Sequence, residues 1–310
     1  MPGFVTHHDC SRHDTGWGHV EHQGRLPAVA RAVYREMLTL HAVLREVEGV
    51  PVDVETLRLA HSAGYVERVR EAVAAAEAAG SPQEFEHGTR LSGASWDAVT
   101  AAAGCVVTAV DAVIDGDDAR AFCSVRPPGS GAHRNRAGDH SIFNNVAIAA
   151  RHLRVRRGAR RILVVEVGER FGAGTADIAA RDDGILYLSA HAASNPADAT
   201  GPAIHSVPLA PGAGCEEMIE GLSTGAAALL RGEDADLVLV SLGLDVLASD
   251  PHGTLGLEPA DLHPLTRWMT GLADRTAGGR LVSALERGFD PAASGRAVVH
   301  HLRALGDLPA

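Results

Sequence analysis

The run ADLVLVSLGLD at residues 235–245 is apolar at nearly every strand position rather than at every second one. A strand with one face in water alternates. A continuous run needs cover on both faces, which is the condition of a parallel strand in the middle of an α/β sheet. Four more runs share the pattern: ARAFCSVRP (119–127), RRILVVEVG (160–168), DGILYLSAH (183–191) and GGRLVSALE (278–286). Helical segments separate them, among them WDAVTAAAGCVVTAVDAVIDG, FNNVAIAARHLRV, EEMIEGLSTGAAALLRG and HPLTRWMTGLADRTA. This alternation predicts a parallel sheet with helices on both faces. No Pro/Ser linker or internal repeat divides the 310 residues, so they read as a single α/β domain, 1–310.

Apolar residues make up 45% of the chain and aromatics only 4%, so the core is expected to be built from small aliphatic side chains. The net charge of −11 argues against nucleic acid as a partner, because phosphate binding needs a basic face. The basic cluster RHLRVRRGARR (151–161) reads as the solvated face of a helix and its exit. Cys10, Cys105, Cys123 and Cys215 lie far apart, with neither zinc-ribbon nor disulfide-framework spacing. The N-terminus lacks the pattern of a signal peptide. No run approaches about 18 uninterrupted apolar residues, so neither a membrane span nor a membrane partner is expected. A cytoplasmic location is the expectation.

In open α/β sheets ligands bind beyond the carboxyl ends of the strands. That rule singles out residues 126–140, 166–175, 189–191, 244–251 and 287–289. A metal hydrolase needs two or three His or carboxylate ligands there and an acid/base group. The loops offer His133, Asp139 and His140, then Glu166, Glu169 and Arg170, then Asp245, Asp250 and His252. Asp245 at a strand end is either a ligand or a turn residue. Asp139 and His140 form either an acid/base pair or a solvated turn. Glu166 and Glu169 would face opposite ways in a strand and so would not share a metal. Arg170 recruits an anion if it points inward and balances Glu169 if it points outward. The N-terminal histidines His7, His8, His13, His19 and His22 lack the spacing of a helical metal motif and read as a polar loop over the rim.

The segments HDTGWGHVEHQGRLPAV, AHSAGYVERVREA, RPPGSGAHRNRAGDHSIFNNVAIAA, ILVVEVGERFGAGT, ILYLSAH, VPLAPGAG, LVSLGLDVLASDPHG and GRLVSALERGF follow one another in order. Through them the chain resembles the histone deacetylase and acetylpolyamine amidohydrolase family over nearly its whole length. The resemblance implies the arginase/deacetylase fold, with a central, mostly parallel eight-stranded sheet. It also implies that the site is degenerate. The family's tandem active-site histidines fall on Ser130 and Gly131. Its three zinc ligands fall on Gly168, Arg170 and Asp245, and its carbonyl-polarising tyrosine on Phe289. The polar partners of the two histidines fall on Glu166 and Ala173. A Gly-Phe pair of the acyl channel falls on Asp139 and His140, and a substrate-gripping Asp on Gly88.

One carboxylate does not hold catalytic zinc, since three protein ligands are the rule. The leading expectation is therefore a deacetylase-fold protein without zinc that binds a small molecule in the former active-site pocket. A second reading is a repurposed, metal-independent enzyme using Asp139, His140, Glu166, Glu169 and Arg170 for acid–base chemistry. A third is an amidohydrolase with substitute metal ligands, Asp245 with Glu169 and His140. No cofactor is expected. A structural potassium ion, which the family uses near the strand ends, is compatible with Ser189.

Overall fold

A computed structural model describes every residue except Asp117, Pro196 and Asp198. Eight strands form one sheet: β1 (Gly3–Thr6), β2 (Arg45–Glu48), β3 (Arg120–Cys123), β4 (Ile162–Val167), β5 (Ile185–Ala192), β6 (Ile204–Leu209), β7 (Leu237–Leu242) and β8 (Leu281–Leu285). Their order is β2-β1-β3-β8-β7-β4-β5-β6, and every neighbouring pair is parallel. The five strands expected from their apolar runs are all present.

β3, β4, β5, β7 and β8 are buried at almost every residue, as continuous apolar runs require. Consecutive residues show why both faces need cover. Phe122 meets the ring of His301 at 5.1 Å, whereas the next residue, Cys123, points to the backbone carbonyl of Cys105. Those contacts belong to helices on opposite faces, Pro291–Leu305 and Ser95–Asp115. By length and hydropathy Ser95–Asp115 could cross a membrane, but 67% of its most apolar window is buried. It is a core helix lying on the sheet.

The edge strands β2 (REVE) and β6 (IHSVPL) gave no apolar run. Exposed charges on the first and Pro208 on the second suit sheet edges that must not pair further. The strand exits gather at one rim, where the candidate site lies.

Candidate functional site

The rim is held by a buried ion network. Arg126, which leaves β3 and precedes a cis peptide to Pro127, is fully buried. It donates from Nε and Nη2 to the two oxygens of Glu21, at 2.6 and 2.9 Å, and to the carbonyls of His13 and Glu21. Arg25 donates to the same carboxylate at 2.9 Å and to the carbonyls of Glu286 and Gly288. Burial pushes the Glu21 carboxyl up, but the two guanidiniums outweigh it and hold it down at about 2. One carboxylate thus ties the N-terminal loop to the exits of β3 and β8.

The loop after β3 then turns under the rim. Glu286, at the exit of β8, accepts from the backbone N–H groups of Gly129 (2.5 Å) and Ser130 (3.1 Å). Gly131 lies so close to Gly138 and Asp139 that a Cβ on it would meet the Gly138 carbonyl oxygen at 2.4 Å. No side chain fits at 131. Gly138 and Ser141 form an antiparallel bridge, and Asp139 and His140 at its tip both adopt left-handed backbone (φ 49° and 65°), the pattern of a type I′ turn. Asp tolerates that region better than most residues, and its carboxylate is held from outside the turn.

What holds it is Arg287, one of the rim positions after β8 for which no chemical role was read. The guanidinium Nη1 lies 3.3 Å from Asp139 Oδ2, Nε lies 3.2 Å from Asp245 Oδ2, and Nη2 donates to the carbonyl of Arg170 at 3.3 Å. Nη2 is also 4.0 Å from Glu166 Oε1. A Cβ on Gly168 would sit 3.7 Å from Nη2 and 3.6 Å from Asp245 Oδ1. The guanidinium therefore stands among Gly168, Arg170 and Asp245, the three positions singled out by the resemblance, and is 3% exposed.

Two carboxyls lie beside it with little compensation. Both oxygens of Glu166 and Oε1 of Glu286 are buried without a hydrogen-bond partner. Burial pushes Glu166 up to about 8, although Arg287 opposes it. Burial likewise pushes Glu286 up to about 7 against the N–H groups of Gly129 and Ser130. Both hold their protons more tightly than an ordinary carboxyl.

Beyond this cluster lies a group of rings. The His140 ring lies 4.8 Å from that of His19 and 6.0 Å from Phe289, and His252 stands 5.5 Å from Phe289 on another side. Burial, then the neighbouring His19, lowers the pKa of His140. A cavity of about 800 Å³ opens here, lined by Asp14, Trp17, His19, His22 and Phe289 among others.

Several expectations change. Asp139 and His140 do not form a dyad: the carboxylate is committed to Arg287 and Arg170, and the ring's Nδ1 has no partner. Glu169 is turned away, with its oxygens on the N–H and hydroxyl of Thr254 at 2.9 and 2.8 Å. Arg170 is 57% exposed along its side chain, its Nη1 3.9 Å from Asp139. The substitute ligand set Asp245, Glu169 and His140 is not brought together. Asp245 Oδ1 accepts from the Glu169 N–H at 3.1 Å, while that side chain leaves in another direction. Ser130, Gly131, Gly168, Asp245, Phe289 and Glu166 do converge on the rim. Glu286 and Arg287 join them. The only sequence signal for this pair was its position immediately after β8.

A family model described as the histone deacetylase domain matches residues 19–305. The chain is 29% identical over 311 residues to a probable deacetylase of Methanothermobacter thermautotrophicus, covering 96% of this chain and 88% of that one. It is 28% identical to a histone deacetylase-like amidohydrolase of Pseudomonas aeruginosa, over 78% of this chain and 65% of the relative's length. The crystal structure of the HDA15 HD domain superposes with a TM-score of 0.87 at 21% identity, covering 99% of this chain and 90% of that one. The chain belongs to the histone deacetylase family.

Proposed function

We propose that this deacetylase-fold protein binds a small molecule in the pocket over Phe289 and His140 and does not hydrolyse amides through zinc. The observation that carries the reading is the Arg287 guanidinium, paired with Asp245 and Asp139 in the place where the family holds its metal. The residues present do not fit a zinc ion. Gly168 has no donor side chain, Arg170 is a cation, and a second cation already lies 3.2 Å from Asp245, the one remaining ligand. Gly131 cannot carry an imidazole, because even a Cβ there meets backbone. Phe289 offers no hydroxyl to a substrate carbonyl.

Potassium is not part of this reading. Arg287 already takes the Arg170 carbonyl and stands beside Glu166, and the Ser189 hydroxyl lies against His191 Nδ1 at 3.3 Å.

The pocket itself supports binding: it is roomy and bordered by the rings of Trp17, His19, His22 and Phe289. A second reading, metal-independent acid–base chemistry, draws on Glu286 and Glu166, whose affinities for protons lie near neutrality. Both are 1% exposed beneath Arg287, so a substrate would reach them only after that side chain moved. Binding is the favoured reading.

The relatives bear names of deacetylases and amidohydrolases, so the deciding assay is turnover of fluorogenic acetyl-lysine and acetylpolyamine substrates with zinc added. The expected result is no turnover above background. Turnover that disappears in Asp245→Ala would overturn the reading.

A further inference from the structure

His7 and His8 take no part in the central pocket. They follow β1 directly, and the parallel register pairs Thr6 with Glu48 on the edge strand β2, which brings both imidazoles over that carboxylate. One ligand atom from each of His7, His8 and Glu48 lies within 4.8 Å of the other two. Among the described residues this is the one place where three histidine, cysteine or carboxylate ligand atoms converge so closely. The two rings stack at 4.5 Å with 27° between their planes. Behind them Asp9 places Oδ2 3.6 Å from His7 Nδ1 and Oδ1 3.4 Å from His8 Nε2. The group borders a cavity of about 570 Å³, whose wall also includes Thr6, Ser11, Tyr34 and Glu46.

We infer that His7, His8 and Glu48 form a second site, for a divalent transition metal such as zinc, nickel or cobalt. Two imidazoles and one carboxylate suit these ions, whereas magnesium and calcium take oxygen donors. Asp9 fixes the His7 ring by donating its N–H to Nδ1 at 3.2 Å, while its carboxylate is held by Arg12 at 2.8 Å. With three protein ligands the ion keeps an open position facing the cavity. His8 and Glu48 are exposed, so they close on the ion by side-chain rotation alone. The contrast with the central pocket is direct, because there the one surviving carboxylate is neutralised by Arg287.

The test is titration of the untagged, chelator-treated chain with zinc and with cobalt(II), read by calorimetry and by the visible absorption of bound cobalt. One equivalent is expected to bind. Affinity falls at least tenfold in His8→Ala and in Glu48→Ala and is unchanged in Asp245→Ala. Because both outer side chains are exposed, their variants unfold at the wild-type midpoint, which separates loss of the site from loss of the fold. Absence of saturable binding, or binding that neither outer variant weakens, overturns the inference. Binding lost only in Asp245→Ala overturns it and the zinc-free reading of the central pocket together.

Discussion

Two buried arginines stand at the same end of the sheet, and their surroundings differ. Arg126 meets a carboxylate in two-pronged fashion and two carbonyls besides, and Glu21, its partner, has a second guanidinium on it. Arg287 meets three carboxylates singly, leaves Nε without a well-directed hydrogen bond, and has orphaned oxygens of Glu166 and Glu286 around it. The first network stabilises a charged carboxylate at about 2, whereas the second leaves two carboxyls at about 7 and about 8. Full satisfaction of buried polar groups marks a structural clamp. Partial satisfaction marks a place whose demands were set by something other than stability.

The largest expected effect comes from breaking the satisfied network. Arg126→Ala leaves the buried Glu21 carboxylate with Arg25 alone and takes the donors from the carbonyls of His13 and Glu21, and should cost about 3–5 kcal/mol in denaturant unfolding. Arg287→Met should cost less, about 2 kcal/mol, because Asp139 is partly exposed and Asp245 keeps the N–H of Glu169. Equal losses for the two would erase the distinction.

Glu166→Gln sharpens the comparison through pH. The unfolded carboxyl releases its proton near pH 4.3 and the folded one only near 8, so between those values the folded chain keeps a proton the unfolded chain has lost. Wild-type stability contributed by this group therefore falls as pH rises through that window. Relative to wild type, the variant should gain roughly 3–4 kcal/mol of stability between pH 5 and pH 8. A gap independent of pH would contradict the assignment. Smallest is Glu169→Ala, which loses its hold on Thr254 and should cost about 1 kcal/mol while leaving ligand affinity in the central pocket unchanged.

The sheet was legible where its strands were buried on both faces, because their apolar runs are short, rich in Val, Ile and Leu and bounded by turns, unlike the long Ala-rich helix Ser95–Asp115. REVE at β2 and IHSVPL at β6 were not, because edge strands keep polar residues to avoid further pairing. Around the site, Asp245 and Glu166 were readable from their positions at strand ends. Glu169 was not: one residue beyond Gly168 the chain turns and carries its carboxylate to Thr254. Arg287 illustrates a different limit. Its reach across to Asp139, 148 positions earlier in the chain, is a property of the packed rim rather than of any local pattern.

The proposal that Arg287 stands where the family holds its metal rests on its pairing with Asp245 and Asp139. It is tested most directly by a crystal structure of the zinc-soaked protein with an anomalous difference map at the zinc edge. Arg287 is expected between Asp245 and Asp139, with no anomalous peak beside Asp245 and zinc density confined to His7, His8 and Glu48. A peak within bonding distance of Asp245 Oδ2, with Arg287 displaced, would contradict it.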